Sequence, residues 1–550
     1  MGNYNLLDEK WVKVLDTDGH SRAVSLKELI GQAHRFSWFA GEIKHQDAAM
    51  MRMTLALCLA VFYRYDENGG ESPLQTPRDA LARWKTVWNM GAFPEAMFRP
   101  YFEKWHDRFY LFDEKLPFYQ VGTLSTEKEP SEFGAKKLNG AIFESENKLR
   151  SFAQRTGDEK ARLTFSEAGR WLVFLQSFDD AAVKEKGGLS GTSWPGANEM
   201  VFACIGNLFE TILLNLVLLR GNGAASYLWD SVTPAWEADY RPGGPVVHDF
   251  LPSDLAWILT VQSKRVILNH DEEYVTGFRA RGGDYIANKI NAFNEPFLMW
   301  KKSKDSGNAA DQYTPVSNIN GRYFWQDFGV VFPDQTDLRK PGLIDWIVRL
   351  YNSRCLTDAN MRYQVRYNAF SLEYGSVSNS IVNYFGSTFT LSLGILEDKN
   401  RMWLRKINEE VGNCDQAADI LGWYARDLTI AEGVDSGGLS GKKICSQAAN
   451  DAKSLFYASL DQPFREWLIG IDTEKDEDYP DEYVRTWRRT AKKLSFETAE
   501  RLLGMSGENA LIGHRVREGK KTTYYSAAIC WNRLAAQITK LYGREEKNNG

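Results

Sequence analysis

Twenty consecutive residues, Met200 to Leu219, read MVFACIGNLFETILLNLVLL, the most apolar run of the chain. Such a run is either buried in a core or spans a membrane, because about twenty apolar positions cross a bilayer. Asn207, Glu210 and Asn215 interrupt it, and a carboxylate at mid-bilayer costs about 3 kcal/mol. The run is therefore expected as one core helix of a soluble protein. Ahead of it stands KEKGGLSGTSWPGANE, with glycines at 187, 188, 191 and 196, a proline, and lysines at 184 and 186. Glycine backbone adopts positive φ and lets a ligand approach closely. The two stretches together predict a low-bulk cationic loop mounted on a rigid buried element, although a plain connection has the same composition.

A chain of 550 residues exceeds a single hydrophobic core. The expected class is α+β: a large mixed domain of antiparallel strands and helices over 1–395, followed by a C-terminal four-helix bundle over 396–550. A formal charge of -5 excludes a surface that coats nucleic acid throughout, so phosphate contacts must come from local basic patches. Cys58, Cys204, Cys355, Cys414, Cys445 and Cys530 never form CxxC, and the start lacks a charged-then-apolar leader pattern. Reduced thiols, a cytoplasmic location, no membrane association and no zinc knuckle are expected.

Along the chain, alternation around Trp11, Val12 and Val14, a turn at Asp18-Gly19 and the pair Ser25-x-x-Glu28 predict a hairpin feeding a capped helix. Helical periodicity covers 48–65 and 77–90, and RFYLFDEKLPFYQV (108–121) predicts an aromatic strand and turn. Residues 122–150 are polar and weakly periodic, a long excursion of the kind that usually carries function. A helix is expected over EAGRWLVFLQSFDDAA. From 257, WILTVQSKRVILNHDEEYVTGFRARGGDYI predicts three strands joined at Asp271-Glu272 and Gly282-Gly283. A helix around LIDWIVRLYNSRC and an aromatic-rich strand region over RYQVRYNAFSLEYGSVSNS follow. From about 397 four main amphipathic helices are predicted.

Enzyme chemistry is hard to assemble from these residues. GGLSG occurs at 187–191 and at 437–441, the second time before Lys442-Lys443. A phosphate-binding P-loop needs GxxxxGK and then Ser or Thr; the spacing here is one short and Lys443 stands where the hydroxyl belongs. The seven histidines lack HExxH or any spacing that pairs two imidazoles on one helical face. TEKDEDYPDE (473–482) lacks the glycine turn of a calcium loop. No cofactor, metal site or catalytic residue is nominated. What remains is charge: residues 485–521 hold ten Lys/Arg against four Glu. Among them Arg485, Arg488, Arg489, Lys492 and Lys493 recur at helical spacings, a pattern that can neutralise phosphates or simply solvate an exposed face. The pairs Lys264-Arg265, Arg279/Arg281 and Lys301-Lys302 carry the same ambiguity.

NLLDEKWVKV, RFYLFDEKLPFYQV, WLVFLQSFDDAA, NLFETILLNLVLL, WILTVQSKRVIL and AKSLFYASLDQPFREWL occur in that order between Asn5 and about Gly543. Taken together they resemble the CasA-type large subunit of type I-E CRISPR Cascade. The resemblance implies a non-enzymatic subunit of an RNA-guided surveillance complex. Such a subunit holds the 5′ end of the CRISPR RNA, reads the PAM in duplex DNA through the minor groove, helps open the duplex, and docks the helicase-nuclease. Sequence choice is delegated to base pairing in such systems, so only a short DNA-reading surface is needed. A glycine backbone suits the narrow, degenerate minor groove.

Carried over residue by residue, the resemblance places the PAM-proximal loop on Lys184, Lys186, Gly187, Gly188 and Gly191. The basic residue beside the PAM falls near Arg279 and Arg281, and guide-RNA contacts fall on Asn147, Lys148 and Arg150. The wedge that enters the duplex falls on GSVSNS, where Ser378 or Asn379 replaces the family's glutamine. The bundle residues Arg485, Arg488, Arg489, Lys492 and Lys493 would contact the displaced strand. The expected partners are CRISPR RNA, double-stranded target DNA with its displaced strand, the other Cascade subunits and the helicase-nuclease. The glycine loop is shorter than in many relatives, and the CxxC pairs some of them carry are missing. Two rival classes stand beside this reading: a metal-dependent nuclease with a dispersed active site, and a purely structural subunit.

Overall fold

The computed structural model describes residues 4–125, 130–139, 155–178, 195–196, 198–221, 226–238, 246–248, 252–286, 294–302, 313–316, 322–333, 339–361, 363–374, 381–475, 479–518 and 521–543. They form two compact units, Met1–Arg322 with Thr336–Thr388 and Tyr323–Gln335 with Phe389–Gly550.

The first unit opens with the expected hairpin. β1 (Val12–Asp16) pairs antiparallel with β2 (Ser21–Val24), Val12 opposite Val24, across a turn where Gly19 holds a φ of 87°. Ser25 caps α1 (Leu26–Gly31): its hydroxyl accepts from the Glu28 amide, and the Glu28 carboxylate accepts from the Ser25 amide. β3 (Phe36–Phe39) lies on the other side of β1, giving the order β2-β1-β3. In α2 (Lys44–Arg64) every residue from His45 to Phe62 is buried. A helix apolar on all sides is one enclosed by protein, and α2 is the axis of this unit. Arg52, in mid-helix, donates to Glu295 Oε1 at 2.9 Å and to the Ile258 carbonyl at 3.1 Å.

α3 (Pro77–Met90) has a capping box at Thr76 and Asp79, proline at its first position, and Gly91 at φ 72° beyond its end. α4 (Glu95–Trp105) follows. The strand expected over 108–121 does not form. Asp113 Oδ1 accepts from the Lys115 and Leu116 amides, Pro117 has no amide to donate, and Tyr119 has a φ of 61°. The aromatic residues instead cluster, Phe109 on Phe118 at 5.2 Å and both against Trp236. Only the bridge between Asn5 and Tyr110 has strand character. β4 (Ser131–Gly134), α5 (Ala135–Leu138), β5 (Leu163–Thr164) and the buried α6 (Phe165–Phe178) come next.

The apolar run from Met200 is not one helix. It divides into β6 (Met200–Cys204), α7 (Leu208–Asn215) and β7 (Leu219–Arg220). Gly206 at φ 40° turns the chain, and Asn207 with Glu210 forms a capping box that starts a new helix. Asn215 donates to the Ala203 carbonyl at 2.6 Å and accepts from its amide at 3.0 Å, folding α7 back onto β6. The polar residues that argued against a membrane span are those that close strand onto helix. No helix among the described residues is long and apolar enough to cross a membrane.

β7 pairs with β8 (Tyr227–Leu228), and β9 (Val246–His248) precedes α8 (Leu255–Thr260). WILT therefore lies in a helix, capped by Asp254 on the Trp257 amide at 2.8 Å, and not in the first strand of a meander. β10 (Lys264–His270) and β11 (Tyr274–Gly282) form the expected hairpin at Asp271. β12 (Asp284–Ile286) leaves it to pair in parallel with β9. β13 (Trp300–Lys302) pairs with β14 (Tyr313–Pro315); α9 (Phe328–Val331) belongs to the second unit, α10 (Gly342–Asn352) and α11 (Asp358–Met361) to the first. β15 (Gln364–Tyr374) lies between β6 and β16 (Ile381–Ser392), with Arg366 opposite Cys204.

The second unit has the four expected long helices, α12 (Arg401–Ala431), α13 (Leu439–Ile469), α14 (Tyr479–Met505) and α16 (Ala527–Tyr542), with α15 (Glu508–Ile512) between the last two. Aromatic side chains fill the core: Trp325 lies 4.4 Å from Phe464, Phe464 4.9 Å from Trp487, and Trp487 5.5 Å from Trp467. The second GGLSG serves packing, not phosphate: Gly438 is the N-cap of α13, and a Cβ at Gly441 would stand 1.8 Å from the Asp435 carbonyl oxygen. The mixed first unit and helical second unit bear out the expected α+β class.

Candidate nucleic-acid interface

The strand sequence from Lys264 to Gly282 alternates, and its turn is built by one carboxylate. Asp271 Oδ1 accepts from the Glu273 amide at 2.8 Å and the Tyr274 amide at 2.7 Å, and those bonds hold its carboxyl below the usual range. β11 is an inner strand, with β10 on one side and β4 on the other. Phe278, Ala280 and Gly282 face inward, and Phe278 stacks on Phe133 at 5.1 Å. Arg279 and Arg281, two residues apart and both half-buried, share the opposite face. Arg279 lies across from Glu132 in the register, its Nε 3.7 Å from the carboxylate, with its side chain 33% exposed. Lys264 and Arg265 on β10 are buried. The Lys264 ammonium sits 5.5 Å over the Tyr285 ring and Arg265 reaches Asp284 at 3.7 Å, so that pair is structural.

In the second unit α14 gathers Arg485, Arg488, Arg489, Lys492 and Lys493 within an arc of about 140° at 3.6 residues per turn. They are not equivalent. Arg485, Arg489 and Lys493 are exposed, whereas Arg488 and Lys492 are half-buried. Arg488 donates to Glu410, which is fully buried, and to Glu409 at 3.0 Å. Burial pushes the Glu410 carboxyl up, and the Arg488 guanidinium opposes that shift. Lys492 donates to the Gly543 carbonyl at 3.2 Å, Arg485 to the Asp481 carbonyl at 3.3 Å, and Lys493 lies 3.6 Å from Glu497.

Sequence reasoning missed a hairpin beyond this helix. β17 (His514–Glu518) pairs with β18 (Lys521–Tyr525), Arg515 opposite Tyr524 and Arg517 opposite Thr522. Arg515 and Arg517 are exposed and share one face. The signal was present in HRVREGKKTTYY, an alternating run around a glycine.

The other proposed contacts, Lys184, Lys186, Gly187, Gly188 and Gly191 in the glycine loop, Asn147, Lys148 and Arg150, and Ser378 and Asn379, lie outside the described residues. Among the described residues no three His, Cys, Asp or Glu side chains are grouped to hold a metal ion, and the six cysteines are buried thiols. Buried His45 donates from Nε2 to the Ser371 carbonyl, 2.8 Å away, and its pKa is pushed down to about 4 by burial.

A family model described as CRISPR-associated protein Cse1 matches residues 5–498. A curated CRISPR-associated protein CasA/Cse1 from Thermus thermophilus is 31% identical over 340 residues, 60% of this chain. The chain spans 61% of the length of that relative. Thermobifida fusca Cse1 superposes with a TM-score of 0.78 at 22% identity, covering 98% of each chain. Cse1 from Acidimicrobium ferrooxidans gives 0.75 at 20% identity, over 98% of this chain and 99% of that one. A chain of a CRISPR RNA-guided surveillance complex gives 0.69 at 16% identity, over 97% and 99%. At these identities the solved structures establish the fold.

Proposed function

The chain belongs to the CRISPR-associated protein Cse1 family, and on that premise we propose that it is the non-catalytic large subunit of an RNA-guided DNA surveillance complex. Its partners are then the CRISPR RNA, the target duplex, the displaced strand, the other Cascade subunits and a helicase-nuclease. A solved chain with this fold comes from a CRISPR RNA-guided surveillance complex, which supports that setting.

The observation that carries the reading is the pair Arg279 and Arg281 on one face of the inner strand β11. Strands on both sides hold β11, so charge is presented from a rigid element at low ordering cost. In this reading the two guanidiniums lie beside the PAM while Gly187, Gly188 and Gly191 let the backbone into the minor groove, with Lys184 and Lys186 near phosphates. Ser378 or Asn379 props the strands apart, and Asn147, Lys148 and Arg150 meet the guide. Arg485, Arg489 and Lys493 track the displaced strand, and Arg488 and Lys492 line the same stripe.

The test is a library of duplexes randomised at the PAM, bound by the complex reconstituted with guide RNA. Arg279→Ala with Arg281→Ala should lower affinity for the preferred PAM by ~10-fold or more and flatten the salt dependence by about 0.9 for each phosphate no longer neutralised. Gly188→Leu should erase PAM preference while leaving assembly with guide RNA intact. Binding that ignores PAM sequence in the unsubstituted complex would leave only a structural role.

A further inference from the structure

A cavity of about 370 Å³ opens in the first unit between β3, the first turn of α2, and the β15–β16 pair. None of its residues lies on β10 or β11, so it stands apart from the proposed DNA-facing strand. Its wall is aromatic on one side: Trp38 and Phe39 cross edge to face at 5.8 Å and 73°, with Trp38 half-buried. On another side Thr388 Oγ1 is buried without a hydrogen-bond partner among the described residues. A buried hydroxyl in that state costs about 1–3 kcal/mol, which a ligand atom would recover once the side chain turns its hydroxyl toward the cavity. Asp47 is 7% exposed and its Oδ1 accepts from the Gly41 amide at 2.7 Å. Burial lifts its carboxyl to about 7, so near neutral pH it can both donate and accept.

Two cations stand at the mouth. Lys44 and Arg366 are exposed. A Cβ placed on Gly386 would lie 3.7 Å from Lys44 Cδ, which puts the lysine stem beside β16. Flat aromatic surface, a hydroxyl and a carboxyl inside, and paired positive charge at the opening are the elements that receive an unstacked base and its phosphate. The volume falls within the range of small-ligand sites, ~300–1,000 Å³. It excludes a duplex.

We propose that this cavity binds one nucleotide, the base against Trp38 and hydrogen-bonded by Thr388 and Asp47, the phosphate between Lys44 and Arg366. The nucleotide is either free or the unstacked residue of a single strand. The full chain is titrated by calorimetry with uridine and adenosine 5′-monophosphates, with inorganic phosphate, and with a five-residue oligouridylate. One monophosphate site per chain is expected, tighter than inorganic phosphate. Trp38→Ala and Arg366→Gln should each weaken it ~10-fold, the scale of losing one stacked or charged partner. Thr388→Val, nearly isosteric, should weaken it while the melting temperature stays constant or rises. Oligouridylate that competes with the monophosphate assigns the site to a strand, and oligouridylate that does not compete assigns it to free nucleotide. No binding of either monophosphate, or binding unchanged in Trp38→Ala and Arg366→Gln, overturns the proposal. So does inorganic phosphate bound as tightly as the monophosphates.

Discussion

Arg52 and Glu295 are 1% and 0% exposed, and each is held on more than one side. The carboxylate also accepts from the Phe297 and Leu298 amides at 2.5 and 3.0 Å. Removing one charge leaves the other buried and alone, so Arg52→Ala should destabilise the chain by about 3–5 kcal/mol, read as a lower denaturant midpoint. Arg52→Met with Glu295→Gln should recover part of that stability. Two neighbouring groups on α2 set opposite pH dependences. Asp47, lifted to about 7, contributes stability present below its unfolded value near 4 and lost as pH rises through 7. His45, lowered to about 4, contributes stability present above ~6.5 and lost as pH falls through 4. Between pH 4 and 6.5 they oppose each other. Asp47→Asn should therefore steepen the loss of melting temperature on acidification in that window, and an unchanged profile would remove Asp47 from the account. Nothing in the sequence marks either group as perturbed, because burial comes from the folded surroundings, which for His45 include Phe370 and Ser371 on β15 and Tyr384 on β16, more than three hundred residues away.

At the scale of elements, local chemistry was legible and long-range pairing was not. Ser25 with Glu28, Pro77 and Gly91 each announce a helix end within four residues, and the helices form there. The run from Met200 was misread as one helix because a strand buried on both faces and a buried helix are equally apolar. Asn207 reads as a polar interruption in the one case and is an N-cap in the other. Gly206 carries the difference. Its φ of 40° strains any side chain, and a Cβ there would displace the Glu210 carboxylate from the capping box. Gly206→Ala should cost about 1–3 kcal/mol, visible as a lowered melting temperature. The stripe on α14 was legible as spacing, yet its division of labour was not, because Glu410 lies on another helix. Arg488→Ala should destabilise the second unit by about 3 kcal/mol through the unpaired Glu410. Arg489→Ala should stay within about 0.5 kcal/mol in stability. In the reconstituted complex it should lower the salt slope of single-strand binding by about 0.7. Equal destabilisation in both variants would contradict this division.

For the molecule as a whole, a net charge of -5 confines any affinity for phosphate to local basic surfaces, of which β11 and α14 each carry one. The α+β class was legible because periodicity changes along the chain, and the proposed guide, glycine-loop and wedge contacts were legible only through family resemblance. The buried axis has a further consequence, in the order of synthesis. Arg52 and Glu295 are 243 residues apart in sequence. At ~5–20 residues per second a ribosome needs on the order of 10–50 s to deliver the carboxylate after the guanidinium has been made. Throughout that interval α2 carries an unneutralised cation, and β15, which also packs on it, is made later still. A nascent or truncated chain ending at Ile286 should therefore collect in the insoluble fraction or on chaperones, and extension through Trp300 should relieve it. A helix enclosed along almost its whole length in the finished protein is a liability in the growing one.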